Sequence, residues 1–206
     1  MNVRDKIITT SSEMFLKYGL RSVSIDDICN ELRISKKTFY SYFNQKEELI
    51  EEILESLRCG QIKFIKKKTS NDDNANSIDK MLKGASFFNE KHHEKFGSFF
   101  FDMQKYYPDI LQKHMQEADE KMYEIVRDNL IEGVQDNLYR KEIDVVAMAI
   151  FLTALKGKAV DNLKQFRKFT TQQSIDFLLD SYLRILVNEN GLQYYLKVKN
   201  NKEKVK

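Results

Sequence analysis

Basic and hydroxyl-bearing side chains are concentrated between residues 33 and 46. This segment contains four basic residues and no acidic one, and hydroxyl groups follow directly after Lys36 and Lys37. A lysine can donate to O6 and N7 of guanine in the major groove, and a hydroxyl can donate to a phosphate or a base edge. A cluster of charge alone is more often an ordinary solvated face than a DNA-binding site. The secondary structure that positions these residues therefore has to distinguish the two.

Three short helices are predicted around this segment. Residues 3–18 carry apolar side chains at helical spacing, and Gly19 follows where a helix commonly ends. Ser24 and Asp27 have the spacing of a capping box, which predicts that a second helix begins there and stops near Leu32.

The third helix is predicted to begin after Ser35, which can cap it. Its wheel places Phe39, Tyr42 and Phe43 on one side, whereas Lys37 and Ser41 lie on the other. The aromatic rings therefore anchor this helix in a core, and its polar side chains face outward.

A tight turn at Arg33 and Ile34 joins the second and third helices into a helix-turn-helix arrangement. Such a unit inserts its second helix into the major groove, with the positive helix amino end near phosphates. Lys36 and Lys37 are the candidate base readers, and the remaining candidates are placed to hold phosphates or base edges. The residues predicted to bind DNA are Ser24, Lys36, Lys37, Thr38, Tyr40, Ser41, Tyr42 and Lys46.

The block GLRSVSIDDICNELRISKKTFYSYFNQKEEL, residues 19–49, resembles the TetR-type transcriptional regulators. One departure is Arg33, because the family usually has glycine before the hydrophobic turn residue, and a non-glycine residue at positive φ costs about 1 kcal/mol or more. A different turn or an added phosphate contact would each account for it. The matching residues are Gly19, Ser24, Ile28, Ile34, Ser35, Thr38, Tyr40, Phe43, Lys46 and Leu49.

The resemblance implies about nine helices, with an amino-terminal DNA-binding domain and a larger regulatory domain. Composition independently predicts an all-α protein, since Leu, Ile, Lys, Glu, Gln and Met are frequent and Pro108 is the single proline. The predicted division is a DNA-binding domain at 1–46, a ligand-binding and dimerisation domain at 47–196 whose helix 47–68 connects the two, and a disordered tail at 197–206.

Further helices are predicted along the larger domain. Pro108 is placed to begin a long helix that ends near Val134. Residues 69–77 read as a loop, residues 78–107 as two helices, and residues 143–157 and 172–187 as one helix each.

Aromatic and methionine side chains between Phe87 and Tyr123 could line a cavity for an apolar or aromatic ligand, as in similar regulators. Plain core packing is the alternative, and for any one residue it is favoured. The pocket candidates are Phe87, Phe99, Phe100, Met103, Tyr106, Met122 and Tyr123.

The helix at 143–157 is apolar nearly all round, which fits either a central core helix or one side of a dimer. The family implies that it forms a dimer interface together with the helix at 172–187. The interface candidates are Ile150, Ala154, Leu179, Tyr182, Leu183 and Leu186.

Other functional classes are disfavoured. Cys29 and Cys59 have no metal or redox spacing, and the chain's three histidines, including the adjacent pair His92 and His93, lack the partners of a tetrahedral site. No nucleophile and base set or phosphate-binding glycine loop is readable, so neither an enzyme nor a cofactor is predicted. The absence of a signal peptide or of a spanning run favours a soluble cytoplasmic protein.

These observations predict a homodimeric DNA-binding regulator, most simply a repressor that a small apolar or aromatic effector releases from a near-palindromic operator. The alternative is an effector-independent architectural or complex-forming protein that uses the same fold.

Overall fold

The computed structural model describes residues 2–70, 75–85 and 97–203. No strand occurs within these ranges, and Tyr139 and Val187 pair in an isolated antiparallel bridge. The all-α prediction is therefore confirmed. The helices are α1 (Val3–Tyr18), α2 (Ile25–Leu32), α3 (Lys36–Tyr40), α4 (Lys46–Ser70), α5 (Ser77–Ala85), α6 (Gly97–Tyr106), α7 (Pro108–Gln135), α8 (Val145–Arg167), α9 (Thr171–Leu186) and α10 (Glu189–Glu203).

Local capping signals fix most of the helix starts. Ser24 and Asp27 form the predicted reciprocal capping box at α2, and Ser35 caps α3 by accepting from the amide of Thr38. Thr170 forms a second capping box with Gln173 at the start of α9. Each cap satisfies amide groups that the helix itself leaves without acceptors.

Two compact units divide the chain, and α4 and α7 each contribute residues to both. The first unit comprises Met1–Ile62 and Lys91–Ala118, and the second comprises Lys63–Glu90 and Asp119–Lys206. In the first unit, the side chains of α1 to α4 share one apolar core with Phe99 and Met103 of α6. The polypeptide around α3 is thus stabilised by residues that follow it by about sixty positions or more.

The second unit has its own core, formed by α5, the carboxyl-terminal part of α7, and α8 to α10. Tyr139 is fully buried there and its hydroxyl donates to Asn129 Oδ1 at 3.1 Å. Gly133 permits this packing, since a Cβ at that position would lie 2.1 Å from the Tyr139 ring.

Two predicted segments differ from the structure. Helix α8 begins at Val145 and continues to Arg167, ten residues beyond the predicted end. Residues 197–203, predicted to be a disordered tail, form the last turns of α10. Tyr195 and Lys199 of α10 both donate to Asp180 of α9 at 2.7 Å, and these bonds hold the helix in place.

None of the helices in the described ranges is long and apolar enough to cross a membrane.

Candidate nucleic-acid interface

The short helix α3 is anchored from below by two phenylalanines. Phe39 and Phe43 are fully buried, and their ring centroids lie 5.8 Å apart. Tyr40 and Tyr42 are exposed, and the rings of Tyr40 and Phe39 pack edge to face with 5.6 Å between centroids. The predicted inward position of the two phenylalanines is confirmed, whereas Tyr42, which the helical wheel placed on the same side, is exposed.

The turn between α2 and α3 has a left-handed residue at its centre. Arg33 adopts φ 54° and ψ 43°, and the amide of Ile34 donates to the carbonyl of Cys29 at 3.0 Å. The turn therefore keeps the backbone conformation that glycine adopts most easily, although arginine occupies the position. The sequence left two explanations for arginine at this position, a different turn or an added phosphate contact. The left-handed conformation of Arg33 excludes the different turn.

Hydroxyl groups at the two ends of α3 serve the helix itself. Ser35 Oγ accepts from the amide of Thr38 at 3.0 Å and lies 2.8 Å from Thr38 Oγ1. Ser41 Oγ donates to the carbonyl of Thr38 at 2.6 Å. Ser24 is occupied in the same way by its capping box with Asp27. Ser24 and Ser41 would have to give up these internal bonds before donating to a phosphate oxygen. In the Ser35–Thr38 pair only one of the two hydroxyl hydrogens is used, so the other can still donate.

The two lysines at the amino end of α3 have different surroundings. Lys36 Nζ lies 2.7 Å from Asp26 Oδ1, and the hydrogen bond and charge of that carboxylate raise the pKa of Lys36. Lys37 is exposed and makes no ion pair with any residue in the described ranges. The sequence predicted the same base-reading role for both lysines, but in the structure only Lys36 is paired with a carboxylate.

Lys46, predicted to hold a phosphate, already has two acceptors inside the protein. Its ammonium donates to the carbonyls of Leu20 and Val23 in the α1–α2 turn, and it lies 5.2 Å from the centroid of the Phe15 ring. Burial lowers the pKa of this lysine. The phosphate contact stays a prediction, and the contacts present make Lys46 a brace between α4 and the turn.

The same turn is held by α6 from another direction. Asp102 Oδ2 accepts from the amide of Arg21 at 3.3 Å, and Arg21 Nη1 donates to the hydroxyl of Tyr106 at 2.9 Å. Gly19 leaves room for this carboxylate, because a Cβ there would lie 3.0 Å from Asp102 Oδ2. Sequence reasoning missed both Asp26 and Asp102. Asp102 and Arg21 are separated by 81 positions, and no local pattern connects them.

The pocket candidates fall in different places. Phe99 and Met103 are buried in the first unit's core, whereas Phe100 and Tyr106 are exposed. Tyr123 packs against the second unit's core, and Met122 is half-buried. Phe87 lies outside the described residues. The proposed pocket thus stays a prediction, with Phe99 and Met103 already packed against protein.

The interface candidates also separate. Leu183 and Leu186 are buried in the second unit's core, with Leu179 and Tyr182 half-buried beside them. Ile150 is 56% exposed, and Ala154 is exposed on the same helix. Other large apolar side chains are exposed on the described parts of these helices, and the sequence did not single them out: Val146, Phe151, Leu155, Phe166, Phe177 and Ile185.

No group of three or more His, Cys, Asp or Glu side chains within the described ranges could hold a metal ion. His92 and His93 lie outside those ranges. His114 is half-buried. Its burial, and to a smaller extent the positive charge of the nearby Arg58, lowers the pKa of this histidine.

Comparison with known proteins identifies the amino-terminal segment. The family model described as bacterial regulatory proteins, tetR family, matches residues 7–53, which cover α1 to α3 and the start of α4. The transcriptional repressor KstR2 of Mycolicibacterium smegmatis is 28% identical over 149 residues, which are 69% of this chain and 70% of that protein.

Solved structures share the fold along nearly the whole chain. A transcriptional regulator from Cytophaga hutchinsonii is 17% identical with a TM-score of 0.72, covering 89% of this chain and 98% of its own. A regulator from Saccharomonospora viridis, solved in complex with choline, is 18% identical with a TM-score of 0.71, covering 90% and 98%.

Proposed function

Because this chain belongs to the TetR family of DNA-binding transcriptional regulators, we propose that it is a homodimeric repressor released from a near-palindromic operator by a small molecule. The observation that carries the proposal is the construction of α3. Phe39 on α3 and Phe43 just after the helix are buried. Lys37 and Tyr40 on α3 and Tyr42 just after it are exposed. This arrangement suits insertion into a major groove, where the outward side chains meet base edges and phosphates.

The exposed apolar side chains of α8 and α9 support a dimer. Ile150 and Phe177 are each more than half exposed, and Val146, also more than half exposed, lies one helical turn before Ile150 on α8. Large exposed apolar patches are uncommon on monomers and mark association surfaces. A second copy of this chain is the proposed partner of this surface. One short helix such as α3 contacts few base pairs, so two helix-turn-helix units, called reading heads below, are needed for useful specificity.

Dimer geometry then sets the operator. A two-fold dimer requires two inverted half-sites whose centres lie about 34 to 36 Å apart, or a multiple of that distance. A small change in the separation of the two heads would misplace one of them. We propose that an effector acts in this way, by binding better to a dimer with the wrong head spacing. Helix α4, which connects the two predicted domains, is the proposed lever.

The effector is proposed to be a small apolar or aromatic compound. Choline bound to the regulator from Saccharomonospora viridis is a ligand of that protein, and it supports the inclusion of choline in a test panel.

The effector-independent alternative also has an observation in its favour. Phe99 and Met103, which were expected to line a ligand pocket, are packed in the core with Phe15 and Leu20. An effector-free DNA-binding protein would bind its DNA equally well with every compound of the panel.

The experiment begins with enrichment of duplex DNA from a random pool by the full-length chain, followed by footprinting of the enriched sequences. Two inverted protected half-sites are expected. A single protected half-site at saturating protein would contradict the dimer proposal. Release of the enriched DNA is then measured with the compound panel, and a compound that weakens binding without unfolding the protein supports the effector.

A further inference from the structure

The ion pair between Lys36 and Asp26 joins the amino end of α3 to the first turn of α2. The two charged atoms are 2.7 Å apart, and the side chains are 61% and 56% exposed. Solvent screens such a pair, so its contribution to folding is small. Its position is informative because Lys36 is one of two lysines at the end of α3 that faces DNA.

Pairing changes what Lys36 offers to DNA. The Asp26 carboxylate compensates the positive charge that would otherwise attract any phosphate, and binding to random DNA depends mainly on such charges. A lysine ammonium has three donors, and the bond to Asp26 uses one of them. The other two can still reach guanine O6 and N7, which carry sequence information.

Lys37 provides the internal contrast. It is the next residue, is exposed, and makes no ion pair within residues 2–70, 75–85 and 97–203. Its charge is therefore available to a phosphate of any sequence. The carboxylate of Asp27, which neighbours Asp26, is occupied by the Ser24 cap, so the two acidic residues have separate roles.

We propose that Asp26 is a specificity-determining residue, which holds Lys36 away from phosphates and so raises the ratio of operator affinity to random-DNA affinity. The inference rests on the proposed DNA-binding role of α3 and adds to it a residue that suppresses binding to the wrong sequences. Specificity is a difference between two affinities, and weakening the competing complex raises it as effectively as strengthening the correct one.

The test compares Asp26→Asn with the wild-type chain on the enriched duplex and on a random-sequence duplex of equal length, with salt varied. Asp26→Asn is expected to make the salt slope for random DNA steeper by about 0.9 for each head that gains a phosphate contact. Lowering the salt from 200 to 50 mM should then increase the affinity for random DNA by a factor that is about 3.5 times larger, for each head, than in the wild type. Binding to the enriched duplex should gain less, so the affinity ratio falls.

Two further variants separate this mechanism from simple removal of a negative charge. Glu31→Gln removes an exposed carboxylate from the same helix without releasing Lys36, and it should leave the salt slope unchanged. In a Lys36→Ala background, Asp26→Asn should lose most of its effect, because the lysine that it releases is absent. Thermal unfolding should be the same in Asp26→Asn and the wild type.

The inference is overturned if Asp26→Asn has the same effect with and without Lys36, or if it weakens binding to the enriched duplex. The second result would mean that Asp26 itself contacts DNA there. A lowered melting temperature with an unchanged slope would also overturn it, leaving Asp26 a purely structural role at the start of α2. If the wild-type chain enriches no DNA and Lys37→Ala changes nothing, the proposed function fails before this inference is reached.

Discussion

The outward faces of α3 and of the α8–α9 pair differ in what lies on them and beneath them. Helix α3 has five residues and exposes lysine and tyrosine over a fully buried phenylalanine. Helices α8 and α9 are long, and they expose aliphatic and phenyl groups such as Ile150 and Phe177 over a separate core. A DNA-reading surface needs charge and hydrogen-bond donors on a rigid support, whereas a protein association surface needs apolar area.

Removal of the support beneath α3 should have the largest effect. Phe39→Ala is expected to destabilise the first unit by about 3 to 5 kcal/mol, because the ring is completely buried and leaves a cavity. Chemical denaturation followed by circular dichroism measures the change. Tyr40→Phe is the matched control. An equal loss of stability in that variant would refute the assignment of Phe39 to the buried side of α3 and of Tyr40 to its exposed side.

A charge on the α8–α9 face tests the other side of the comparison. Ile150→Asp should shift the chain from dimer to monomer and weaken binding to the enriched DNA at least about tenfold, since a buried unpaired carboxylate is costly at an interface. Sedimentation velocity measures the association state. Ile150→Leu, which keeps the apolar area, should remain dimeric. A monomeric wild-type chain that still binds two half-sites would show that this surface serves another purpose.

Loss of an outward charge on α3 should alter DNA binding without altering the fold. Lys37→Ala is expected to make the salt slope shallower by about 0.9 per head, because one phosphate contact is lost. Fluorescence anisotropy at several salt concentrations gives the slope, and the melting temperature should not move. Tyr40→Phe should weaken binding as well, with the slope retained, if its hydroxyl donates to a phosphate or base. A fall in melting temperature for Lys37→Ala would place this side chain in the support instead.

The smallest expected effect is a gain in stability at the turn. Arg33→Gly removes the cost of a side chain at positive φ, about 1 kcal/mol, although glycine also gains freedom in the unfolded chain. The net stabilisation should be under about 1 kcal/mol by denaturant titration. Arg33→Ala keeps the backbone cost and serves as the control for the lost charge. If both variants weaken DNA binding equally, the guanidinium contacts a phosphate, which was the second account of this residue.

The sequence predicted the parts of the reading head that depend on short spacings. The capping box of Ser24 and Asp27, the cap at Ser35 and the inward pair Phe39 and Phe43 each arise within one or two helical turns. Such contacts depend on local geometry alone, and the periodicity of the sequence reveals them.

Contacts across turns and between distant segments were not predictable in the same way. The pairing of Lys36 with Asp26 depends on the angle between α2 and α3, and the two carbonyls that Lys46 reaches lie 23 and 26 positions earlier. Residues 197–203 of α10 were mistaken for part of a disordered tail because Lys199 bonds to Asp180, which belongs to another helix. Composition reports the charge of such residues but not the partners that fix them.

The contribution of α6 to the first unit's core has a consequence for how the protein is made. Phe15 and Leu20 share that core with Phe99 and Met103, and Arg21 bonds to Tyr106, 85 positions later. Synthesis is vectorial, so the ribosome releases α1 to α3 well before α6 exists. The core around α1 to α3 therefore cannot be completed until α6 has been translated, and part of its apolar surface stays exposed until then.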